Sequence, residues 1–269
     1  MSAILVVTPT LGESRWLDET VASVAAQSVA CRHVLVAPAA RMTELARRFS
    51  RVEVIAESGG GMYAAINAGL AAAGEWDAFT YLNDDDALLP RFGVVAQALA
   101  ARRGEPAIAY GGVRLIDARG ARIGAIPISP FPRLNRALYA QRIEPVYQHG
   151  TLVTRAAFAQ LGGFDTTFRY CGDSEFLARA CVRSVRFVCA TTREVAAFRV
   201  RAGQLTKNRA ALVEERRRVD EKLGLLAPMS VAQRLAARLV FRVANFPRYV
   251  ERIARHGFVS FDELLTRIE

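Results

Sequence analysis

The chain has 269 residues, 52% of them hydrophobic, and a formal charge of +10; that is enough apolar material for one full-sized core. Nowhere do roughly 18 apolar residues follow one another, which argues against a membrane span, and no Pro/Gly/Ser linker, low-complexity tract or repeat divides the chain. The four cysteines, Cys31, Cys171, Cys181 and Cys189, form no C-x-x-C pair and show no ligand spacing with His33, His149 or His256, so they read as buried thiols of a reducing compartment rather than a zinc site. The apolar run Ile4-Leu5-Val6-Val7 is far shorter than a signal-peptide core, and a cytoplasmic location is expected.

In chain order, residues 3–7, 33–37, 52–56, 78–82 and 108–111 predict strands: short, rich in Val, Ile, Leu or aromatics, and bounded by breakers. Between the first two, Leu17, Val21, Val24 and Ala25 follow the spacing of a helix with one apolar face. Further helices are predicted over 42–49, 63–73 and 92–102. This alternation over the first 115 residues predicts a mostly parallel sheet flanked by helices, a Rossmann-like α/β class with ligands at the strands' C-terminal edge. Beyond residue 115 the regularity weakens: a hairpin tip at 117–122, a proline-rich loop, a strand near 149–154, helices over 156–161 and 173–182, and two late strands at 186–189 and 195–198.

The most informative segment is Tyr81-Leu82-Asn83-Asp84-Asp85-Asp86-Ala87-Leu88-Leu89-Pro90. Adjacent carboxylates at a strand's end repel one another by about 1 kcal/mol per close contact even in water. A divalent cation relieves that repulsion, and Mg²⁺ or Mn²⁺ suits carboxylate oxygens completed by phosphates and water. A solvated acidic turn capping the next helix is the plainer alternative.

This segment resembles the D-x-D region of family-2 glycosyltransferases with the GT-A fold. Other segments agree in order: Val6-Val7-Thr8-Pro9-Thr10, Ser58-Gly59-Gly60-Gly61-Met62-Tyr63-Ala64-Ala65-Ile66-Asn67, Gln148-His149-Gly150-Thr151, Gly162-Gly163-Phe164-Asp165 and Gly172-Asp173-Ser174-Glu175. The resemblance covers about residues 3–215. It implies a GT-A domain over 1–215, with a nucleotide-sugar-binding half at 1–115 and an acceptor and catalytic-base half at 116–215. Residues 216–269 would form a basic helical C-terminal extension. It further implies transfer of a sugar from a nucleotide-sugar donor to an acceptor hydroxyl, with inversion, in assembly of cell-surface glycan or polysaccharide on a glycan or lipid-linked acceptor. The divalent metal, Mn²⁺ or Mg²⁺, would sit at Asp85 with Asp86 in support, and Asn83 or Asp84 near the donor ribose. Thr8, Pro9 and Thr10 would lie under the donor base and ribose, and Gln148 and His149 on the acceptor side. Asp173 is the implied general base with Glu175 in reserve, since both cannot point the same way on one helical turn.

Gly59 opens a glycine run before a helix, where backbone amides can approach phosphate, though a bare turn needs no more. Tyr63 and Asn67 share one helix face near the donor, Asn67 serving alternatively as a buried structural amide. Arg199, Arg201, Gln204, Thr206 and Lys207 form a basic loop suited to the leaving diphosphate.

The charge is concentrated late: residues 199–269 hold 15 Lys/Arg against 8 Asp/Glu. Arg234, Arg238, Arg242, Arg248, Arg252 and Arg255 line a helical stripe of Leu235, Leu239, Val243, Phe246, Val250 and Ile253 that Pro247 should kink or split. Such a stripe suits the inner face of an anionic membrane, the chain's own body, or a second copy in a homodimer. Nucleic acid is not expected, because no helix-turn-helix or aromatic RNA platform accompanies the charge. Departures from the family pattern are Ala37-Pro38-Ala39, where an Asp-rich turn is usual after strand two, and Ala64 in place of Asp. A nucleotidyltransferase of the sugar-nucleotide pyrophosphorylase kind would need a Gly-rich basic loop after strand one, which Thr8–Glu13 lacks; a non-catalytic basic binding module is the other rival.

Overall fold

The computed structural model describes residues 4–57, 59–102, 104–201, 204, 208–224, 229–259 and 263–264. Its elements run β1 (Ile4–Pro9), α1 (Leu17–Ala25), β2 (Cys31–Ala37), α2 (Met42–Arg48), β3 (Glu53–Ala56), α3 (Met62–Ala72), β4 (Ala78–Tyr81), β5 (Ala87–Leu88) and α4 (Phe92–Ala100). There follow β6 (Ala107–Ile116), β7 (Arg122–Ile126), α5 (Asn135–Tyr139), β8 (Thr151–Thr154), α6 (Arg155–Leu161), α7 (Gly172–Val182), β9 (Arg186–Arg199), α8 (Arg209–Leu223), α9 (Val231–Ala244) and α10 (Phe246–His256).

The strands form one sheet in the order β3-β2-β1-β4-β8-β6-β9-β5, with β7 hung on β6. β3, β2, β1 and β4 are mutually parallel. β8 then runs antiparallel between β4 and β6, and β6 and β9 are parallel to each other. This is the α/β class that the alternating pattern predicts. β1 explains why: Leu5 and Val7 enter the core on one face, Ile4 and Val6 enter the core on the other. A strand covered on both faces must be apolar throughout. Over it, α3 lies so close that a Cβ at Gly69 would stand 2.6 Å from Val36 Cγ2 and 3.0 Å from Val7 Cγ1.

Several expectations change. The two late strands are one, β9, whose polar middle at Thr191–Glu194 bulges against Gly111 and Gly112 of β6 and then resumes pairing. The proline-rich loop contains α5. The boundary at 215/216 falls inside α8, whose Lys222 reaches Glu175 of α7 at 2.8 Å. Only Cys171 is fully buried; the other thiols are half-buried, all four are free, and burial pushes Cys31 up to about 11 and Cys171 and Cys181 up to about 12. The basic stripe is split into α9 and α10 at Asn245, with Pro247 in the first turn of α10. Among the described residues no helix is long and apolar enough to cross a membrane.

Candidate active site

The acidic segment 83–86 links β4 to β5 at the C-terminal edge of the parallel strands. β5 pairs with β9, Ala87 opposite Ala197, which brings Asp86 to the end of β9. There Arg199 N–H donates to Asp86 Oδ1 at 2.9 Å, its Nε donates to the Asp85 carbonyl at 2.8 Å, and its Nη2 pairs with Glu19 at 2.6 Å. Arg199 is 1% exposed. It is therefore a strut under the carboxylates, not a member of a loop over the diphosphate. From α1 and its lead-in, Ser14 and Thr20 hydroxyls donate to the carbonyls of Asp84 and Asp86, and the Leu88 N–H donates to Ser23. Asp86 also accepts from Asn83 Nδ2 at 2.9 Å and lies 3.2 Å from His149 Nε2. With three neighbours, Asp86 orders the turn from within.

Asp84 accepts from Thr10 at 2.5 Å; burial raises its pKa despite that bond. Thr8, by contrast, is wholly buried with its hydroxyl 2.9 Å from His33 Nε2, so its side chain faces the interior rather than a ligand. Half-buried Pro9 carries the chain over the rim between them. Asp85 is held by Arg201, whose Nε donates to Oδ2 at 2.6 Å. Burial and the adjacent Asp86 push Asp85 up to about 6 against the pull of Arg201. Arg199 and Arg201 both lie over the Trp16 ring at 5.3 Å, and the indole N–H donates to the Ala118 carbonyl. Thr206 and Lys207 lie outside the described residues; Gln204 donates to the Arg199 carbonyl.

Asp173 opens α7 and shares its site with Tyr63: the phenol donates to Asp173 Oδ1 and accepts from the Asp173 N–H, each at 3.1 Å. Gly172 is required here, since a Cβ would stand 2.5 Å from the Tyr63 ring. Tyr63 thus orients Asp173 instead of lining a donor site. Burial and Glu144 raise the Asp173 pKa; the Ser174 N–H, His149 and Tyr63 oppose them. His149 stands between the two acid groups. Burial disfavours its charge, but Asp86, Asp173 and Asp85 outweigh burial and raise its pKa. Its ring packs on Phe198 at 4.5 Å and is buried, so it is placed to support the carboxylates. Gln148 is 4% exposed, with both amide atoms unpartnered among the described residues.

Two further expectations fail on geometry. Glu175 is fully buried, paired with Arg179 at 2.8 Å and with Lys222; it is committed to two cations inside the fold. Asn67 exchanges hydrogen bonds with the Phe164 backbone at 2.8 and 3.0 Å, the structural-amide alternative. Gly59, Gly60 and Gly61 all carry left-handed backbone, φ +80, +94 and +90, a run that only glycine adopts without strain.

A match to the family model "Glycosyl transferase family 2" extends over residues 5–162, from β1 into the loop after α6. The chain belongs to glycosyltransferase family 2. No curated protein sequence matches it. Its fold is similar to those of S. aureus TarS 1-349 in complex with UDP (15% identity, 98% of this chain and 77% of that one, TM-score 0.61) and the mannosyltransferase PcManGT from Pyrobaculum calidifontis in complex with GDP-Man and Mn²⁺ (15%, 98% and 78%, 0.60). It is also similar to that of GalNAc-T7 with UDP, GalNAc and Mn²⁺ (15%, 82% and 48%, 0.59). The fold of this glycosyltransferase is thus GT-A, and the pyrophosphorylase and non-catalytic readings give way to an enzyme of glycosyl transfer.

The donor set of this glycosyltransferase fits an open cation site rather than a cage. Among the described residues no three His, Cys, Asp or Glu side chains are arranged to hold a metal ion between them. Yet a dication at a nucleotide needs only one or two protein carboxylates, and Asp85 meets a cation, Arg201, at the cluster's edge. Asn83 Oδ1 is a buried acceptor without a partner among the described residues. A separate cleft of about 270 Å³ lies at the opposite edge of the sheet, lined by Ile4, Val29, Trp76, Leu99 and Leu152, and reaches none of these groups.

Sequence reasoning missed Trp16, Ser14, Thr20, Ser23 and Glu215. The last accepts from the N–H groups of Arg169, Tyr170 and Cys171 at 2.7, 2.7 and 2.8 Å, fixing the loop that leads to Asp173. Nothing in the charged helix α8, where it follows Glu214 and precedes three arginines, singles it out.

Proposed function

We propose that this glycosyltransferase moves a sugar from a nucleoside-diphosphate sugar to an acceptor hydroxyl with inversion, in assembly of a surface glycan on a glycan or lipid-linked acceptor. What supports the reading is a pair of acid groups around one buried histidine: His149 Nε2 lies 3.2 Å from Asp86 of the segment 83–86, and its charge is favoured also by Asp173, which Tyr63 holds in place. Asp173 removes the acceptor hydroxyl's proton; the oxygen's electron pair forms the new bond to the anomeric carbon, and the bond to the diphosphate breaks with its electrons leaving on phosphate. Its raised pKa suits a base, and Tyr63 holds it in place. Asp85 would hold Mn²⁺ or Mg²⁺, with Asn83 or Asp84 toward the ribose; when bound, the ion supplies positive charge for the departing diphosphate. Arg201 is placed to leave Asp85 and pair with phosphate oxygens. That solved GT-A neighbours carry UDP or GDP-Man, two of them with Mn²⁺, supports the donor class.

The test is calorimetry of UDP- and GDP-sugars with and without Mn²⁺. Asp85→Ala should abolish the metal-dependent part of binding. Asp173→Asn should keep donor affinity and lose roughly 10²–10⁴-fold in turnover. Donor affinity indifferent to both Asp85 and metal would refute the assignment.

A further inference from the structure

The two C-terminal helices present the wrong face to water. α9 buries Ala237 and Phe241 against Ala137 and Leu138 of α5. Its opposite side is apolar as well: Val231, Leu235, Leu239 and Val243 are 60–66% exposed. α10 is inverted outright. It buries no apolar residue, and it touches the body through polar groups: Glu251 pairs with Arg122, His256 Nε2 lies 2.7 Å from the Ile123 carbonyl, and Arg248 donates to the Thr192 carbonyl. Phe246, Val250 and Ile253 point outward, and Phe258 just beyond the helix is 93% exposed. A surface helix of a water-soluble body has the reverse polarity. Asn245 fixes the joint between the helices, exchanging hydrogen bonds with Ile128 at 2.9 and 3.1 Å, so both bare apolar faces are held by the fold.

Charge decides what covers them. Residues 231–256 hold six arginines and one acid, Glu251, and Glu251 is already taken by Arg122 and Arg255. Arg238 and Arg242 flank the stripe, exposed. A second copy docking stripe to stripe would bring arginines without carboxylates to meet them. An anionic bilayer offers both an apolar interior and phosphates at its rim. We propose that α9 and α10 lie in the surface of an anionic membrane, the apolar stripe inserted and Arg238 and Arg242 on lipid phosphates. The surface is separate from the transfer site, so the two readings succeed or fail independently.

The test is flotation of the full chain with vesicles of phosphatidylcholine alone or with about one-third phosphatidylglycerol. The anionic vesicles should bind at least tenfold more protein, each arginine near such a surface strengthening binding roughly fivefold. Arg238→Gln with Arg242→Gln should lose that preference, and Leu239→Ser with Phe246→Ser should lose binding to both vesicles, with circular dichroism melts unchanged because all four side chains are exposed. Wild-type protein that stays out of the vesicle fraction, equal binding to both vesicles, or binding untouched by either double variant would overturn the proposal. So would a dimer by sedimentation that Leu239→Ser with Phe246→Ser dissolves in the absence of any vesicle binding.

Discussion

Replacing Glu215 by glutamine probes the scaffold of the base without touching the base. The carboxylate is 8% exposed and accepts three backbone N–H groups, one on Oε1 and two on Oε2. Hydrogen bonds to a charged acceptor contribute about 1.5–3 kcal/mol each, and a buried donor left unpaired costs about 1–3 kcal/mol. Glutamine offers one carbonyl oxygen, so at best two of the three bonds survive without charge and one N–H faces an amide NH₂. The expected loss is about 2–4 kcal/mol of stability, and for a chain of this size that lowers Tm by roughly 4–7 °C. Because residues 169–171 run directly into Gly172 and Asp173, kcat should fall while donor affinity holds. Differential scanning calorimetry with steady-state kinetics reads both. A Tm within about 1 °C of wild type, or a loss confined to donor binding, would refute the reasoning.

The other predictions follow the same logic. Glu175→Ala removes the partner of Arg179 in a buried pair and should cost about 3–5 kcal/mol in chemical unfolding; a stable variant that merely lost turnover would restore Glu175 as a base. Arg201→Ala removes the cation that occupies Asp85, so Mn²⁺ titrated without nucleotide should bind more tightly; unchanged or weaker binding by electron paramagnetic resonance would contradict the pairing at 2.6 Å. Burial lowers the His33 pKa to about 4 from its ordinary 6.5. Above pH 6.5 both folded and unfolded forms are neutral; below it the unfolded chain binds the proton first, and stability falls by about 1.4 kcal/mol per pH unit down to about 4. His33→Gln should remove that contribution, read as the difference from wild type in urea unfolding at pH 7, 6 and 5.

What the sequence disclosed and what it withheld divide along a physical line. The first four strands and their helices carry their own punctuation, and β1 declares burial on both faces by having no polar residue from Ile4 to Val7. The acidic segment was legible because repulsion between neighbours is a local cost. β9 was read as two strands because Thr191–Glu194 is polar, and only the partner strand's bulge at Gly111 and Gly112 shows why pairing survives it. The support of the site was not legible at all. Arg199 meets Asp86 across 113 residues and Glu19 across 180, and nothing in either neighbourhood announces the other. Thr8 and Asn67 were candidates by position alone, and the side-chain direction that removes them is a product of packing.

Arg199 has one more consequence. A single guanidinium pins the carbonyl of Asp85, the carbonyl of Asp117 beyond β6 and the carboxylate of Glu19 on α1, while its own N–H holds Asp86. Three distant stretches of chain are clamped at one point, so the acid corner behaves as an anvil. Whatever travels during a reaction cycle must arrive from the solvent side, and the carboxylates wait for it in place.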